Sequence, residues 1–174
     1  PSGTTNTLYD VHFFDANNGV LVGAGGLIMQ TANGGATWVT RTSGTTNALR
    51  AVSFSSSTAG TVVGSAGTIL RTTDGGVSWT SQTGGGSGIL NGVSCVDASN
   101  IYCIGFDGVI LKTTNGGSTW VNQNSGSTTI YLYSCSFSDV NNGVAVGGDG
   151  LILKTTNGGS SWISQSTGTF NWFY

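Results

Sequence analysis

The chain has 174 residues, which is about the size of one domain and long enough to bury a core. Only 7% of the residues are charged, Glu is absent, and the net charge is −2, so the chain lacks the basic patch that nucleic acids require and the polybasic segment that anionic membranes attract. No apolar run approaches the ~18 residues of a membrane-spanning helix, so no membrane span is predicted.

The first predicted unit covers residues 8–48 and contains four short strand-like runs. It opens with LYDVHFFD, continues with GVLVG and GLIMQ, and ends after the box TANGGATW. Alternating or β-branched residues separated by Gly, Asn and Asp are typical of antiparallel strands joined by tight turns. The unit is therefore predicted to be a four-stranded antiparallel meander.

The same unit recurs along the chain, which predicts a single repeat domain over residues 1–174. Trp38, Trp79, Trp120 and Trp162 lie 41, 41 and 42 residues apart, and the further units span 49–89, 90–131 and 132–169. Four-stranded units of about 41 residues are the blades of β-propellers. We therefore expect an all-β, β-propeller-type repeat of four four-stranded antiparallel blades, with essentially no helix.

Each unit carries an eight-residue box with Thr, Asn or Asp, Gly and Trp at fixed positions. Asn-Gly and Asp-Gly readily adopt positive φ, and the Asn or Asp side chain bonds amides of its own turn. Each Trp is expected to cover the turn and to be largely buried. The residues predicted to have this structural role are Thr31, Asn33, Gly35, Trp38, Thr72, Asp74, Gly76, Trp79, Thr113, Asn115, Gly117, Trp120, Thr155, Asn157, Gly159 and Trp162.

The boxes resemble the Asp-box of bacterial neuraminidase (BNR) repeats, S/T-x-D/N-x-G-x-T/S-W. The wider phrase GDGLILKTTNGGSSW, preceded by NNGVAVG, is similar to repeats of the photosystem II stability/assembly factor family. This resemblance covers nearly the whole chain and implies propeller blades. It implies less about function, because such blades serve enzymes, assembly factors and adhesins.

The sequence predicts no enzymatic activity, no catalytic residue and no cofactor. A sialidase-like site would need an arginine cluster, a Tyr nucleophile backed by a Glu, and an acid/base carboxylate. Glu is absent, the three Arg lie at different repeat positions, and six of the seven Asp recur at turns. Asp10 and His12 depart from the pattern. They share a strand face, so an Asp–His couple is the alternative to a polar pair on an exposed strand face.

No metal site is predicted. A single His argues against zinc or copper. The alternative is a calcium site of carboxylate and carbonyl oxygens near Asp107 or Asp149, which are otherwise interpreted as turn residues.

Basic residues recur at one position of the third strand, as Arg71, Lys112 and Lys154, where the first unit has Gln30. Equivalent positions of a propeller lie at equal radius, so these residues could form an arc of positive charge that faces an anionic partner. The alternative is a solvated strand position where a long polar side chain blocks wrong strand pairing.

Two of the three cysteines are candidates for a disulfide. Cys95 and Cys103 flank the hairpin DASN, and a three-residue loop would place them directly opposite each other. The alternative is two small buried side chains. Cys135 takes the place of an apolar residue of the other units, so we assign it to the core.

The end of the chain is unusually aromatic. Leu8, Leu49, Leu90 and Leu132 mark the start of each first strand, and Phe173 falls on the next such mark. The segment 170–174 could close a small ring against the first blade, or be a remnant of a longer array, or dock on the next subunit through Phe170, Trp172, Phe173 and Tyr174. We favour docking, which would give a ring or a filament, and we then expect deletion of 170–174 to yield a soluble monomer.

The leading functional hypothesis is a non-catalytic extracellular or cell-surface module that acts as a structural, self-assembling or protein-interaction subunit. The charge-poor Gly/Ser/Thr/Asn composition favours it, and the chain, which begins with Pro and has no signal-peptide pattern, is interpreted as a processed mature chain or an excised piece. The expected partner is the chain itself, with protein or glycan as further candidates. The alternatives are a glycan- or ligand-binding propeller and a photosystem assembly factor-like chaperone.

Overall fold

The computed structural model describes residues 3–123, 125–126 and 130–165. This part of the chain forms sixteen short strands, four per unit, and its only helical elements are three-residue 3₁₀ turns. The first and second strands of the four units are β1 (Leu8–Phe13) and β2 (Gly19–Gly23), β5 (Leu49–Phe54) and β6 (Gly60–Gly64), β9 (Leu90–Cys95) and β10 (Ile101–Gly105), and β13 (Leu132–Phe137) and β14 (Gly143–Gly147). The third and fourth strands are β3 (Ile28–Thr31) and β4 (Val39–Arg41), β7 (Ile69–Thr72) and β8 (Thr80–Ser81), β11 (Ile110–Thr113) and β12 (Val121–Gln123), and β15 (Ile152–Thr155) and β16 (Ile163–Gln165).

Each unit is one antiparallel sheet whose strands lie in sequence order. The registers repeat between units: Val11 pairs with Leu21 in the first sheet as Val52 pairs with Val62 in the second. The predicted all-β fold of four four-stranded blades is therefore confirmed. We number the sheets blades 1 to 4 in chain order.

A 3₁₀ turn joins the second and third strands of every blade. Its middle residue adopts a left-handed conformation in all four blades, with φ of +69° at Gly25, +53° at Ala66, +57° at Asp107 and +54° at Asp149. Asp tolerates this region better than most residues because its short polar side chain bonds locally. The interpretation of Asp107 and Asp149 as turn residues is confirmed.

The predicted boxes form the turn between the third and fourth strands, and one buried hydroxyl organises each of them. In blade 3, Thr113 Oγ1 donates to Asn115 Oδ1 and accepts the N–H groups of Asn115 and Gly117. Asn115 Oδ1 in turn accepts the N–H of Thr119 at 2.9 Å. The same bonds recur in the other three boxes.

The box tryptophans are buried in large part, as predicted. None of Trp38, Trp79, Trp120 and Trp162 is exposed. The last three pack against the core clusters, and the indole nitrogens of Trp120 and Trp162 are buried. In blades 1, 2 and 4 the indole meets a Phe of the same blade edge to face, for example Trp79 against Phe54 at 6.1 Å between ring centroids. The ring thus covers one side of the turn.

The hydrophobic core lies between the blades, in three clusters that each join two successive sheets. The first joins blades 1 and 2 through residues such as Val20, Ile28, Leu49 and Val52. The second joins blades 2 and 3, and the third joins blades 3 and 4. Each inner sheet is therefore apolar on both faces, and each face depends on a neighbouring blade for its burial.

Adjacent threonines of the blade 3 box provide a matched test of the turn. Thr113→Val should lower the free energy of unfolding by about 1–3 kcal/mol, because it leaves the buried N–H of Gly117 without an acceptor. Thr114 is exposed, so Thr114→Val should change stability by no more than about 0.5 kcal/mol. Urea unfolding of both variants measures the difference, and equal effects would show that the hydroxyl does not hold the turn.

The blade 2 box carries the one Asp among four equivalent Asn/Asp positions. Hydrogen bonds from the Ser78 hydroxyl and backbone, and from Thr72, lower the pKa of Asp74 from 3.8 to about 2. A carboxylate whose pKa falls on folding stabilises the native state above its unfolded pKa, and this contribution is lost as the pH falls through the folded value.

We therefore expect the parent to lose stability relative to Asp74→Asn as the pH falls from about 4 to about 2. Because the carboxylate is exposed, solvent screening should hold the change below about 1 kcal/mol. Thermal melts across this pH range test it. A parent whose stability relative to Asp74→Asn stays constant or rises at low pH would contradict the assignment.

Candidate interaction face on the first blade

Long polar side chains of the third strand link each blade to the next. Gln30 Nε2 of blade 1 donates to the carbonyl oxygen of Gly75 in blade 2 at 2.7 Å. Arg71 reaches Ala98 O in blade 3 at 2.8 Å, and Lys112 reaches Gly158 O in blade 4 at 2.7 Å. All the donors occupy one strand position, and the acceptors lie in turns of the following blade.

The predicted anion-facing arc is therefore wrong for two of its three members. Arg71 is only 8% exposed and also donates to Gly60 O, while burial lowers its pKa. Lys112 lies over the Tyr102 ring, 5.3 Å from its centroid, in addition to its bond to blade 4. Only Lys154, on blade 4, is exposed. The basic position serves as an inter-blade link wherever a following blade is present.

A second set of links joins the first strands of neighbouring blades. Ser53 Oγ of blade 2 accepts the N–H of Cys95 in blade 3 at 3.1 Å. Ser94 Oγ of blade 3, at the equivalent position, accepts the N–H of Phe137 in blade 4 at 3.2 Å. Both links cross the gap between blades at the same level of the strand.

Blade 1 makes its link to blade 2 from a different residue of the first strand, Asp10, because His12 occupies the position of Ser53 and Ser94. Its Oδ2 accepts the N–H of Val52 in blade 2, and its Oδ1 accepts the N–H of Val11, both at 2.8 Å. The His12 ring lies against Phe54, 5.6 Å between centroids, and partial burial lowers its pKa. Both residues are partly buried rather than on an exposed face. The geometry thus gives Asp10 a role in joining blades and pairs His12 with an aromatic ring.

Blade 1 presents an apolar surface that is covered at the equivalent positions of the other blades. Val11 is 52% exposed, whereas Val52, its counterpart in blade 2, is 5% exposed. Phe13 is 42% exposed and its counterpart Phe54 only 7%. We call the surface formed by Leu8, Val11, Phe13 and Trp38 the open face of blade 1.

A groove of about 610 Å³ runs along the open face. Besides the four residues of that face, its lining includes Leu21, Gly34 and Gly35. In blade 2 the corresponding surface is filled by blade 1: a Cβ added to Gly76, the counterpart of Gly35, would lie 3.0 Å from Val20 Cγ2. Among the described residues, the core clusters join blades 1 to 2, 2 to 3 and 3 to 4, and none joins blade 4 to blade 1.

The opposite end of the array is the far face of blade 4, which we define by Ser136, Val144, Val146, Ile152 and Lys154. Ser136 and Lys154 are exposed, and the three apolar residues are partly buried. Their counterparts in blade 1 (Val20, Val22 and Ile28) are fully buried against blade 2. The far face of blade 4 thus has the composition of a blade surface that meets a following blade.

The cysteine prediction is wrong in its register. Cys95 pairs with Ile101 and Cys103 pairs with Val93, so the two cysteines are diagonal rather than opposite. Diagonal neighbours have Cα atoms about 7–8 Å apart, at or beyond the usual limit for a disulfide. All three cysteines are free thiols. Burial raises the pKa of Cys135 to about 12, in keeping with its assignment to the core.

Other expectations for the site concern metals, membranes and the terminal segment. The described residues contain no group of three or more His, Cys, Asp or Glu arranged to hold a metal ion. Within the same part of the chain, no helix is long and apolar enough to span a membrane. The contact predicted for Phe170, Trp172, Phe173 and Tyr174 lies outside the described residues.

Sequence reasoning located the linking position but missed its role and missed the open face. The recurrence of Gln, Arg and Lys at one strand position is visible in the sequence. The sequence does not show that these side chains extend toward the next blade. Leu8, Val11 and Phe13 show the same alternation as their buried counterparts in blade 2. Nothing in the local sequence of blade 1 distinguishes a covered face from an uncovered one.

The sequence matches a protein-family model along nearly its whole length. The model described as Photosynthesis system II assembly factor YCF48 matches residues 2–83, 43–124 and 87–167. The resemblance inferred from the boxes and their flanking residues is confirmed. Comparison with curated proteins gave no match.

Solved structures with a similar fold include relatives and an enzyme. YCF48 from Cyanidioschyzon merolae is 26% identical, with 96% of this chain and 59% of that chain covered and a TM-score of 0.74. A structure of YCF48 bound to D1 peptide is 20% identical, with 94% and 83% covered and a TM-score of 0.63. The GH74 enzyme of Niastella koreensis is 18% identical, with 94% and 31% covered and a TM-score of 0.72. The chain thus spans less than two thirds of the Cyanidioschyzon protein.

The linking role of the third strand is tested by changing equivalent basic residues. Arg71→Met should lower the free energy of unfolding by about 2–4 kcal/mol, because it leaves the buried carbonyl group of Gly60 and the inter-blade acceptor Ala98 O without a charged donor. Lys154→Met, at the same strand position of blade 4, should change stability by no more than about 0.5 kcal/mol in dilute solution. Guanidinium unfolding compares the two variants, and equal losses would contradict the link.

Proposed function

Because this chain belongs to the Photosynthesis system II assembly factor YCF48 family, we propose that it is a non-catalytic protein-interaction module that binds another polypeptide on the open face of blade 1. The observation that carries this proposal is the contrast between blades 1 and 2. The same apolar positions are buried under a neighbour in blade 2 and exposed in blade 1.

The open face has the physical character of a binding surface. Its large apolar side chains are contiguous and line one groove, whereas scattered apolar residues on a surface are ordinary. Fully burying a Leu, Val or Phe side chain contributes about 1.5–3 kcal/mol, so covering several half-exposed ones supplies a useful part of a binding free energy. The neighbouring links show that the backbone of a blade also forms hydrogen bonds across such a face, with N–H groups that donate and carbonyl oxygens that accept.

A protein partner agrees with the family. A relative in this fold is known in a complex described as YCF48 bound to D1 peptide. For the present chain, both a copy of itself and an extended segment of another protein are partners of suitable chemistry. A role similar to that of a photosystem assembly factor is favoured by family membership, and self-assembly by the composition of the blade faces.

The non-catalytic part of the proposal is supported by the use of the carboxylates. Asp15 and Asp139 accept N–H groups within their own hairpins, and these bonds lower the pKa of both. Asp10 is bound to two backbone amides and Asp74 to its box. Carboxylates held in this way act as structural acceptors rather than as paired acid and base.

An extracellular or cell-surface location is part of the same proposal. It is supported by the low charge content and the abundance of Gly, Ser, Thr and Asn. The three thiols are free, so the proposal does not depend on a disulfide.

Selection from a phage-displayed library of random peptides tests the binding role. Peptides enriched on the immobilised parent chain should bind Val11→Lys at least about tenfold more weakly, because the variant places a charge in the apolar groove. The matched control is Val121→Lys, since Val121 is also an exposed strand valine but lies on the outer strand of blade 3. It should bind the same peptides as the parent does.

The D1 peptide serves as a second probe in the same assay and asks about the assembly-factor role. Binding that is weakened by Val11→Lys but not by Val121→Lys would support that role at this face. Equal loss in the two variants would overturn the assignment of the open face as the binding site. Failure to enrich any peptide would exclude it as a site for polypeptides other than the chain itself.

A further inference from the structure

We infer that the partner which covers the open face of blade 1 is a second copy of this chain, docked head to tail so that the far face of its blade 4 repeats the internal blade-to-blade interface. This inference rests on the proposed binding role of the open face. It adds the identity of the partner, its orientation and its register. The chain itself supplies the template, because its interfaces between neighbouring blades follow one pattern.

The apolar halves of the joint match position by position. Within the chain, Val20, Val22 and Ile28 of blade 1 pack against Leu49, Val52 and Phe54 of blade 2. In the proposed joint the corresponding residues of blade 4 pack on those of blade 1 in the next copy. The two sets are Val144, Val146 and Ile152 on one copy, and Leu8, Val11 and Phe13 on the other.

Lys154 supplies the polar link from the third strand. It occupies the position from which Gln30 and Lys112 reach the box carbonyls Gly75 O and Gly158 O of the following blade. The equivalent carbonyl in blade 1 belongs to Gly34, which lines the groove of the open face. In the proposed joint, the exposed Lys154 ammonium of one copy and the Gly34 carbonyl of the next therefore occupy the positions of donor and acceptor in the internal links.

Ser136 supplies a second, independent link from the first strand. It occupies the position of Ser53 and Ser94, whose hydroxyl oxygens accept an N–H from the following blade. The N–H donor in blade 1 at the equivalent position belongs to Phe13, a residue of the open face. Two polar links and one apolar cluster thus agree on a single register.

A head-to-tail joint is heterologous, since different surfaces of the two copies meet. Such contacts produce a closed ring if the rotation between copies closes and an open filament if it does not. Either assembly buries the open face of every copy except one at the end of a filament. A face-to-face dimer would instead pair blade 1 with blade 1 and would leave Ser136 and Lys154 outside the contact.

Complementation between two variants tests the joint. Val11→Lys places a charge on the open face of blade 1, and Ser136→Lys places one on the far face of blade 4, where the parent residue is exposed. Sedimentation velocity over a range of protein concentrations is measured for the parent, for each variant, for Val121→Lys and for an equimolar mixture of Val11→Lys and Ser136→Lys. Thermal melts establish that every variant is folded.

The parent and Val121→Lys should associate, and each of the other two variants alone should lose association by about tenfold or more. The mixture should form a dimer of the two variants and nothing larger, because Val11→Lys keeps an intact blade 4 and Ser136→Lys keeps an intact blade 1. A parent that stays monomeric at every concentration would overturn the inference. So would a Ser136→Lys variant that associates as the parent does, or a mixture that does not dimerise.

The outcome also distinguishes failure of this inference from failure of the proposed binding role on which it rests. If selected peptides bind the open face and are weakened by Val11→Lys while the parent remains monomeric, the binding role stands and the second copy is excluded as the partner. If no peptide binds but the complementary variants dimerise, the open face is specific for its own chain.

Discussion

The structure depends on one constraint: each blade is a sheet with two apolar faces, and a sheet of this kind buries a face only where a neighbour lies against it. The three core clusters meet this requirement between successive blades. The same residue pattern on blade 1 has no such neighbour among the described residues, so Val11 and Phe13 remain half exposed. The proposed function follows from this difference in burial between chemically equivalent faces.

Polar links give the stacked sheets their register. Apolar packing is non-directional, whereas a hydrogen bond from Arg71 to Ala98 O, or from the Phe137 N–H to Ser94 Oγ, is satisfied in one alignment only. This explains why the donor position accepts Gln, Arg or Lys. What the position requires is a side chain that is long enough to reach the next blade and that ends in a hydrogen-bond donor, and its charge is secondary.

The fold was largely predictable from the sequence because the repeat multiplies weak local signals fourfold. The strand pattern, the box turns and the left-handed Asp107 and Asp149 all follow from local preferences. Two of the errors concern relations between blades, since the burial of Arg71 and the exposure of Val11 depend on which sheet lies against which. The third lies within blade 3, where the register of the hairpin places Cys95 and Cys103 diagonally. Local periodicity carries no such information, since Val11 and Val52 look alike in sequence.

The most direct test of the account is hydrogen–deuterium exchange of β1 as a function of protein concentration. The account predicts that amides of β1 exchange more slowly as the concentration rises, together with those of β13 and β14 on the far face of blade 4. Amides of β5 and β9, already covered within the chain, should exchange at a constant rate. Exchange in β1 that does not change with concentration, while the protein stays folded, would contradict the claim that another copy covers the open face.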